Sequence, residues 1–358
     1  MARPSLTIDL TAIERNARAI AEFCTTHGMT LVGVTKATCG HPAVARAMLR
    51  GGVTAIGESR LENIHRLREA GIRAPTVLLR VPTLSQADHV VTATDLSLNS
   101  ELTVLAALSE AAISHHRIHE VILMVELGDL REGIPPNDLL PFMGAALRMP
   151  GIRVVGIGTN LTCFAGVAPS RENMERLVAL ARAVASTYGL RLRWISGANS
   201  SALPLMAAGA MPTTVNHARM GEAILLGRET VHRTPWPGTR QDAFRLEAEV
   251  IELKEKPSAP TGERGEDAFG HHPEFTDRGT VRRALLNLGR EDADLEGLTP
   301  VDPRLRVVGG TSDYLVVEVD GVPLHVGDRV AFIPNYSALL AAMTSTFVAK
   351  RIRDGAHS

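Results

Sequence analysis

Eight short apolar runs punctuate the first two thirds of the chain, at residues 31–35, 53–56, 76–79, 96–98, 121–125, 154–157, 194–196 and 215–218. The run Leu31-Val32-Gly33-Val34-Thr35 is almost wholly apolar, and a strand of that composition is buried on both faces, as in a parallel sheet. Stretches of helical composition such as 101–112 and 171–188 separate the runs. The alternation implies parallel strands joined by helical crossovers, an α/β chain. Eight such units close naturally as a (β/α)8 TIM barrel; an open, doubly wound sheet is the competing arrangement. A helix precedes the first run, with Thr11-Ala12-Ile13-Glu14 as its capping box and Leu10, Ile13, Ala17, Ile20 and Phe23 on one face.

The pattern changes near residue 240. Residues 244–253 alternate in polarity, 257–272 are rich in glycine, proline and charge, and strand-like runs return at 283–288, 314–319 and 330–333. Gly327-Asp328 supplies a turn, and residues 337–352 read as a closing helix. The expected organisation is a barrel over residues 1–240 and a mostly β domain over 241–358.

Composition narrows the function without naming it. With 45% apolar and 22% charged residues, the 358-residue chain can bury a large core and a smaller second one. A formal net charge of −1 offers no field to draw in a polyanion or an acidic membrane, so the expected partner is a small molecule or another copy of the chain. Three cysteines, Cys24, Cys39 and Cys163, lack metal-ligand spacing and suggest reduced thiols in the cytoplasm. Neither an export signal nor an apolar run long enough to span a bilayer is expected, and the lone pair His271-His272 is too little for a metal centre.

Candidate chemistry starts at Lys36. It ends the first apolar run, so its side chain leaves the carboxyl edge of the sheet, where α/β barrels build active sites. A strand-end lysine can also simply reach for solvent. The surrounding sequence, Ile8-Asp9-Leu10-x-x-Ile13-x-x-Asn16 and Val34-Thr35-Lys36-Ala37, resembles the opening of the alanine racemase-like, fold-type III pyridoxal-phosphate enzymes. That resemblance implies that Lys36 carries pyridoxal 5'-phosphate as a Schiff base, which delocalises the charge left by loss of a substrate α-proton. The turn after Lys36 is one residue shorter than in alanine racemases and lacks their tyrosine.

The same resemblance assigns the other cofactor contacts. In Asn216-His217-Ala218-Arg219-Met220-Gly221-Glu222, Arg219 is the partner of the pyridine nitrogen; a permanent cation there keeps the nitrogen unprotonated and favours racemisation over quinonoid side reactions. Asn199 and Ser200, which open a helix, and the backbone of Gly221 and Glu222 are the phosphate contacts. Arg131, in Glu126-Leu127-Gly128-Asp129-Leu130-Arg131-Glu132-Gly133, is implied to face the cofactor's phenolic oxygen and the substrate carboxylate. Asn160 stands where the family keeps a histidine under the ring. Tyr336, in Asn335-Tyr336-Ser337, is implied to reach the phosphate.

In the second domain, Gly309-Gly310-Thr311-Ser312-Asp313 resembles a substrate loop that the family's basic amino-acid decarboxylases use to bind a distal ammonium, and which reaches the partner subunit's barrel. Residues 286–292 and 296–300 look like the carboxyl domain of members that racemise ornithine. The resemblance therefore implies a homodimeric racemase of a basic amino acid, with ornithine the expected substrate, Asp313 reading its side-chain cation and Tyr314 beside it. A decarboxylase, or a carrier of the cofactor without turnover, are the alternatives; Arg219 argues against the first and a complete second domain against the other. A racemase needs an acid or base on each face of the α-carbon. Lys36 is one. The tyrosine that alanine racemases use for the other is replaced by Phe269-Gly270, leaving Ser312, Asp313 and Tyr314 as first candidates, and Asp267, His271 and Tyr336 behind them.

Overall fold

The structure, a computed structural model, describes residues 3–355. It divides into two compact units, Leu10–Gln241 and a second made of the first nine residues with the chain from Asp242 onward.

The chain begins with β1 (Ser5–Asp9), which belongs to the second unit, and then enters the helix Leu10–Thr26 of the first. This helix buries Leu10, Ile13, Ala17 and Ile20 on the expected face. It starts at Leu10, so Thr11 lies inside it. Glu14 does not complete a capping box; its carboxylate pairs with Arg18 at 2.8 Å and with Arg50 at 2.7 Å, tying the helix to its neighbour Pro42–Arg50. Strands β2 (Thr30–Val34), β3 (Ala55–Glu58), β4 (Thr76–Leu78), β5 (Leu96–Asn99), β6 (His119–Met124), β7 (Ile152–Gly158), β8 (Trp194–Ser196) and β9 (His217–Met220) follow, alternating with helices. All neighbours pair in parallel in the order β8-β7-β6-β5-β4-β3-β2-β9. The bridge Ala198↔Ala218 and the bond from Asn216 N–H to Ile195 O, at 3.2 Å, join the two ends of that order. The sheet thus closes as a barrel, as the alternation predicts.

Inside it, Val32, Val77, Leu96, Leu98, Ile122, Met124 and Val155 form one buried cluster. Leu96 and Leu98 of β5 and Ile122 and Met124 of β6 contribute in alternation, which is the period of a strand with one face turned to a common interior. Each such side chain stabilises the fold by about 1.5–3 kcal/mol through burial.

In the second unit, β10 (Phe244–Pro257) is the long central strand. It pairs antiparallel with β1, β11 (Thr280–Leu286) and β15 (Arg329–Pro334); β12 (Leu298–Pro300), β13 (Leu305–Gly310) and β14 (Leu315–Val319) complete the antiparallel set. The expected helix over 337–352 is shorter than predicted, ending at Thr344, and β16 (Ala349–Arg353) lies parallel to β1. Phe244 and Phe332, both fully buried, anchor this unit's own core. No helix among the described residues is long and apolar enough to cross a membrane.

Candidate active site

Lys36 opens a three-residue 3-10 turn, Lys36–Thr38, directly after β2. The turn is tight because Cys39 and Gly40 both take positive φ, 52° and 59°, so that Cys39 N–H returns to Lys36 O at 3.1 Å and Gly40 N–H to Thr35 O at 3.3 Å. The lysine is half-buried, and its side-chain amine makes no hydrogen bond or ion pair among the described residues. One strand over, Glu58 ends β3 fully buried, accepting from Thr35 Oγ1 at 2.6 Å, Asn63 Nδ2 at 2.9 Å and Ser59 N–H at 3.1 Å. Burial pushes its carboxyl above the usual range; the hydrogen bonds and the charge of Lys36 pull the other way.

Arg219 lies in β9, buried among the ends of the adjoining strands. Its Nη1 donates to Ser196 O at 3.1 Å and also to Ser196 Oγ, and Nη2 donates to Thr159 O at 2.9 Å. These bonds use only the terminal nitrogens, leaving Nε as a donor. Burial pushes the guanidinium down to about 10, so it is still a cation at neutral pH. Ser196 Oγ accepts from Arg219 and also hydrogen-bonds His217 Nδ1, 2.7 Å away. Burial, with Arg219 and Arg193 adding to it, drives His217 down to about 3; it is neutral and packs on Trp194 with ring centroids 5.0 Å apart. A neutral imidazole lets the cation of Arg219 stand without a like charge behind it.

Beside this cation, Thr159 Oγ1 and Asn160 Nδ2 are buried polar atoms without a hydrogen-bond partner among the described residues. Unpaired buried polar atoms are costly, and two together at the carboxyl end of β7 call for a polar guest. Asn199 takes a structural role: its Nδ2 donates to Leu161 O at 2.8 Å and its Oδ1 caps the next turn through Ser201 N–H at 2.9 Å. Ser200 Oγ accepts from Ala223 N–H at 3.1 Å, which brings Ser200 next to Gly221 and Glu222 at the start of the short helix Glu222–Leu225. The Glu222 side chain turns to Arg233, 2.6 Å away, so only its backbone is left to serve a phosphate. Thus Ser200, Gly221 and Glu222 come together, as do Arg219, Thr159 and Asn160.

Arg131 lies on the loop after β6, its guanidinium held by two bonds to Glu132. Gly133 makes the loop possible: at φ 154° it passes so close to Glu126 that a Cβ would come within 2.4 Å of the Glu126 nitrogen. Asp129, buried, accepts from the N–H groups of Phe164 at 2.9 Å and of Cys163 and Ala165 at 3.2 Å, pinning the loop after β7 to the Arg131 loop. The fields of Glu132 and Arg131 both reach Arg219. Sequence reasoning missed Glu58, Glu132, Ser196 and His217; the signal for Ser196 and His217 was a polar residue inside a barrel strand.

In the second unit, Thr311–Tyr314 form a turn between β13 and β14, closed by Thr311 N–H to Tyr314 O at 2.8 Å, with Ser312, Asp313 and Tyr314 all exposed. Gly289 packs so tightly beneath it that any side chain would collide with Ser312 O. Tyr336 opens the helix Tyr336–Thr344 behind the cap Asn335, whose Oδ1 accepts from Ala338 N–H at 2.9 Å. Asp267 accepts from the N–H groups of Phe269 and His271 at 2.8 and 2.9 Å, a local turn.

An amine without a partner at a strand end, a buried arginine with Nε to offer and two orphaned polar atoms fit pyridoxal 5'-phosphate: a carbonyl carbon, a ring nitrogen and polar ring substituents answer them in turn. Among the described residues there is no cluster that could hold a metal ion.

The sequence model of the alanine racemase N-terminal domain matches residues 8–229. The chain is 37% identical over 352 residues to ornithine racemase of Acetoanaerobium sticklandii, covering 98% of this chain and 99% of that protein. To lysine racemase of Thermotoga maritima it is 39% identical over 351 residues, covering 98% of each. Among solved structures, alanine racemase from a D-cycloserine-producing Streptomyces lavendulae superposes with a TM-score of 0.75 over 99% of this chain and 98% of that one, at 22% identity, a likeness of fold. The chain belongs to the alanine racemase family.

Proposed function

We propose that this protein is a pyridoxal 5'-phosphate-dependent racemase that interconverts the L- and D-forms of a basic amino acid, with ornithine as its substrate. The observation that carries the reading is the buried Arg219 with its Nε unspent, beside the orphaned Thr159 and Asn160 and on the barrel whose lysine strand ends at Lys36. The two full-length relatives support the substrate class: one is named for ornithine and the other for lysine, amino acids that differ by one methylene and share a side-chain cation.

The cofactor, when bound, supplies the electron sink that lets the substrate's α-C–H bond ionise. Lys36 holds it and moves the α-proton on one face. Arg219 presents a fixed positive charge to the ring nitrogen and so keeps a proton off it, limiting how far charge spreads into the ring. Thr159 and Asn160 satisfy ring substituents, and Ser200 with the Gly221 and Glu222 backbone holds the phosphate. Arg131 orients the substrate carboxylate, which must compete there with Glu132. Asp313 reads the distal ammonium, and Ser312 or Asp313 serves the second face. These last residues, with Tyr314, act in the barrel of a partner copy, so the working form is a homodimer, and Tyr336 reaches the phosphate. Its place is the cytoplasm, a reading supported by a sparse, odd set of three cysteines without metal-ligand spacing.

The test is incubation with pyridoxal phosphate and L-ornithine in deuterated water, followed by chiral chromatography and mass spectrometry. α-Deuterated D-ornithine is expected. Putrescine without D-ornithine would overturn the reading in favour of decarboxylation, and exchange with L-alanine but not with ornithine or lysine would remove the basic substrate class.

A further inference from the structure

A buried carboxylate unused so far, that of Glu58, bonds the residue just before the lysine turn. Parallel pairing sets Val34 of β2 against Gly57 of β3, and Thr35 N–H continues to Gly57 O at 3.1 Å. Thr35 and Glu58 therefore leave the barrel edge side by side, and the threonine hydroxyl closes on the carboxylate at 2.6 Å. Asn63, from the helix Leu61–Glu69, donates to the other oxygen at 2.9 Å and accepts from Arg66 Nη1 at 3.4 Å. Arg66 reaches on to Cys39 O, while Gly40 packs on Asn63 so closely that a Cβ would come within 2.7 Å of it. The Lys36 turn is gripped at both ends, by Glu58 through Thr35 and by Asn63 and Arg66 through Cys39 and Gly40.

Holding a turn does not require a charge. A neutral amide oxygen could accept from Thr35, whereas a buried carboxylate carries a desolvation cost that only a nearby cation or several donors offset. Burial raises the proton affinity of Glu58, and the three donors that face it, followed by the charge of Lys36, work against that rise. Arg66 stands behind Asn63, and His41, at the end of the turn, is held toward its neutral form by burial and by Arg66. We propose that Glu58 is the positioning residue of Lys36: it fixes Thr35, which delivers the lysine, and supplies a buried negative charge beside the lysine turn. This rests on the reading of Lys36 as the cofactor-bearing residue.

The experiment compares the wild-type holoprotein with Glu58→Gln and Thr35→Val, following the visible absorbance of bound pyridoxal phosphate with pH and its retention on dialysis. A carboxylate beside a cationic nitrogen favours the protonated form. Glu58→Gln should therefore move the absorbance transition to lower pH by about one unit or more, with the melting temperature little changed, a shift that a purely structural role would not produce. Thr35→Val keeps the charge but loses the clamp, so its transition should stay near the wild-type pH while the cofactor is lost severalfold faster. A Glu58→Gln transition at the wild-type pH would overturn the proposal. If that variant fails to fold, Thr35→Val decides, and unchanged retention overturns it. A wild type that takes up no cofactor would overturn the proposed function as well, whereas normal uptake with unresponsive variants removes this inference alone.

Discussion

Buried titratable residues give this protein a pH dependence that can be worked out side chain by side chain. His119, in β6, is driven down to about 4 by burial, with Ser97 Oγ 2.8 Å from its Nε2; His217 falls to about 3. In the folded chain both stay neutral from neutral pH down to those values, whereas the unfolded chain protonates its histidines near pH 6.5. A depressed folded value means stability is full above pH 6.5 and declines as pH falls toward 4 and 3, because unfolding takes up the proton. The slope is about 1.4 kcal/mol per pH unit for each histidine. Urea denaturation of wild type and His119→Gln between pH 7 and pH 4.5 checks this: the wild type should lose stability more steeply, by about that one-histidine slope. Parallel curves would mean that His119 is protonated in the folded state. At the same scale, Lys36 and Arg219 were legible because each ends or interrupts an apolar run with the one residue type the chemistry needs. Glu58 was not. Nothing in Gly57-Glu58-Ser59 marks it until the β2–β3 register puts it beside Thr35.

Elements were legible where burial wrote them into the sequence. The eight barrel strands are covered on both sides, so each shows as an apolar run, and all eight fall within two or three residues of their predicted positions. Strands that depend on a neighbour were hidden. β16 reads Ala-Lys-Arg-Ile-Arg and is half exposed; its pairing with β1, from Ser5↔Ala349 to Asp9↔Arg353, and the ion pair of Arg353 with Asp9 make it a strand. The expected helix over 337–352 stops at Thr344 because Ser345 turns away, its hydroxyl engaged by Asp292 at 3.1 Å and by Phe347 N–H at 3.1 Å. Hydrophobic periodicity carries no record of such partners. The barrel cluster also yields a stability prediction. Ile122 is fully buried in the middle of it, so Ile122→Ala should cost about 2–5 kcal/mol in urea denaturation. A loss below about 1 kcal/mol would show that the interior can collapse around the deletion.

At the scale of the whole molecule, the proposed division of labour makes a prediction about mixtures. Lys36 belongs to one compact unit and the exposed Thr311–Tyr314 turn to the other. If the turn serves a partner's barrel, Lys36→Ala and Asp313→Ala each spoil a different half of every site. When the two inactive proteins are mixed and allowed to exchange subunits, half of the dimers formed are mixed, and in a mixed dimer the intact Lys36 faces the intact Asp313 at one site while both defects fall at the other. Random exchange therefore restores about a quarter of the wild-type sites. Racemisation of L-ornithine by the mixture, against either variant alone, measures this directly. Recovery near a quarter requires a dimer with shared sites. An inactive mixture, with exchange confirmed by mass-tagged subunits, would place Lys36 and Asp313 of the same chain in one site, because then no pairing of the two variants brings two intact residues together.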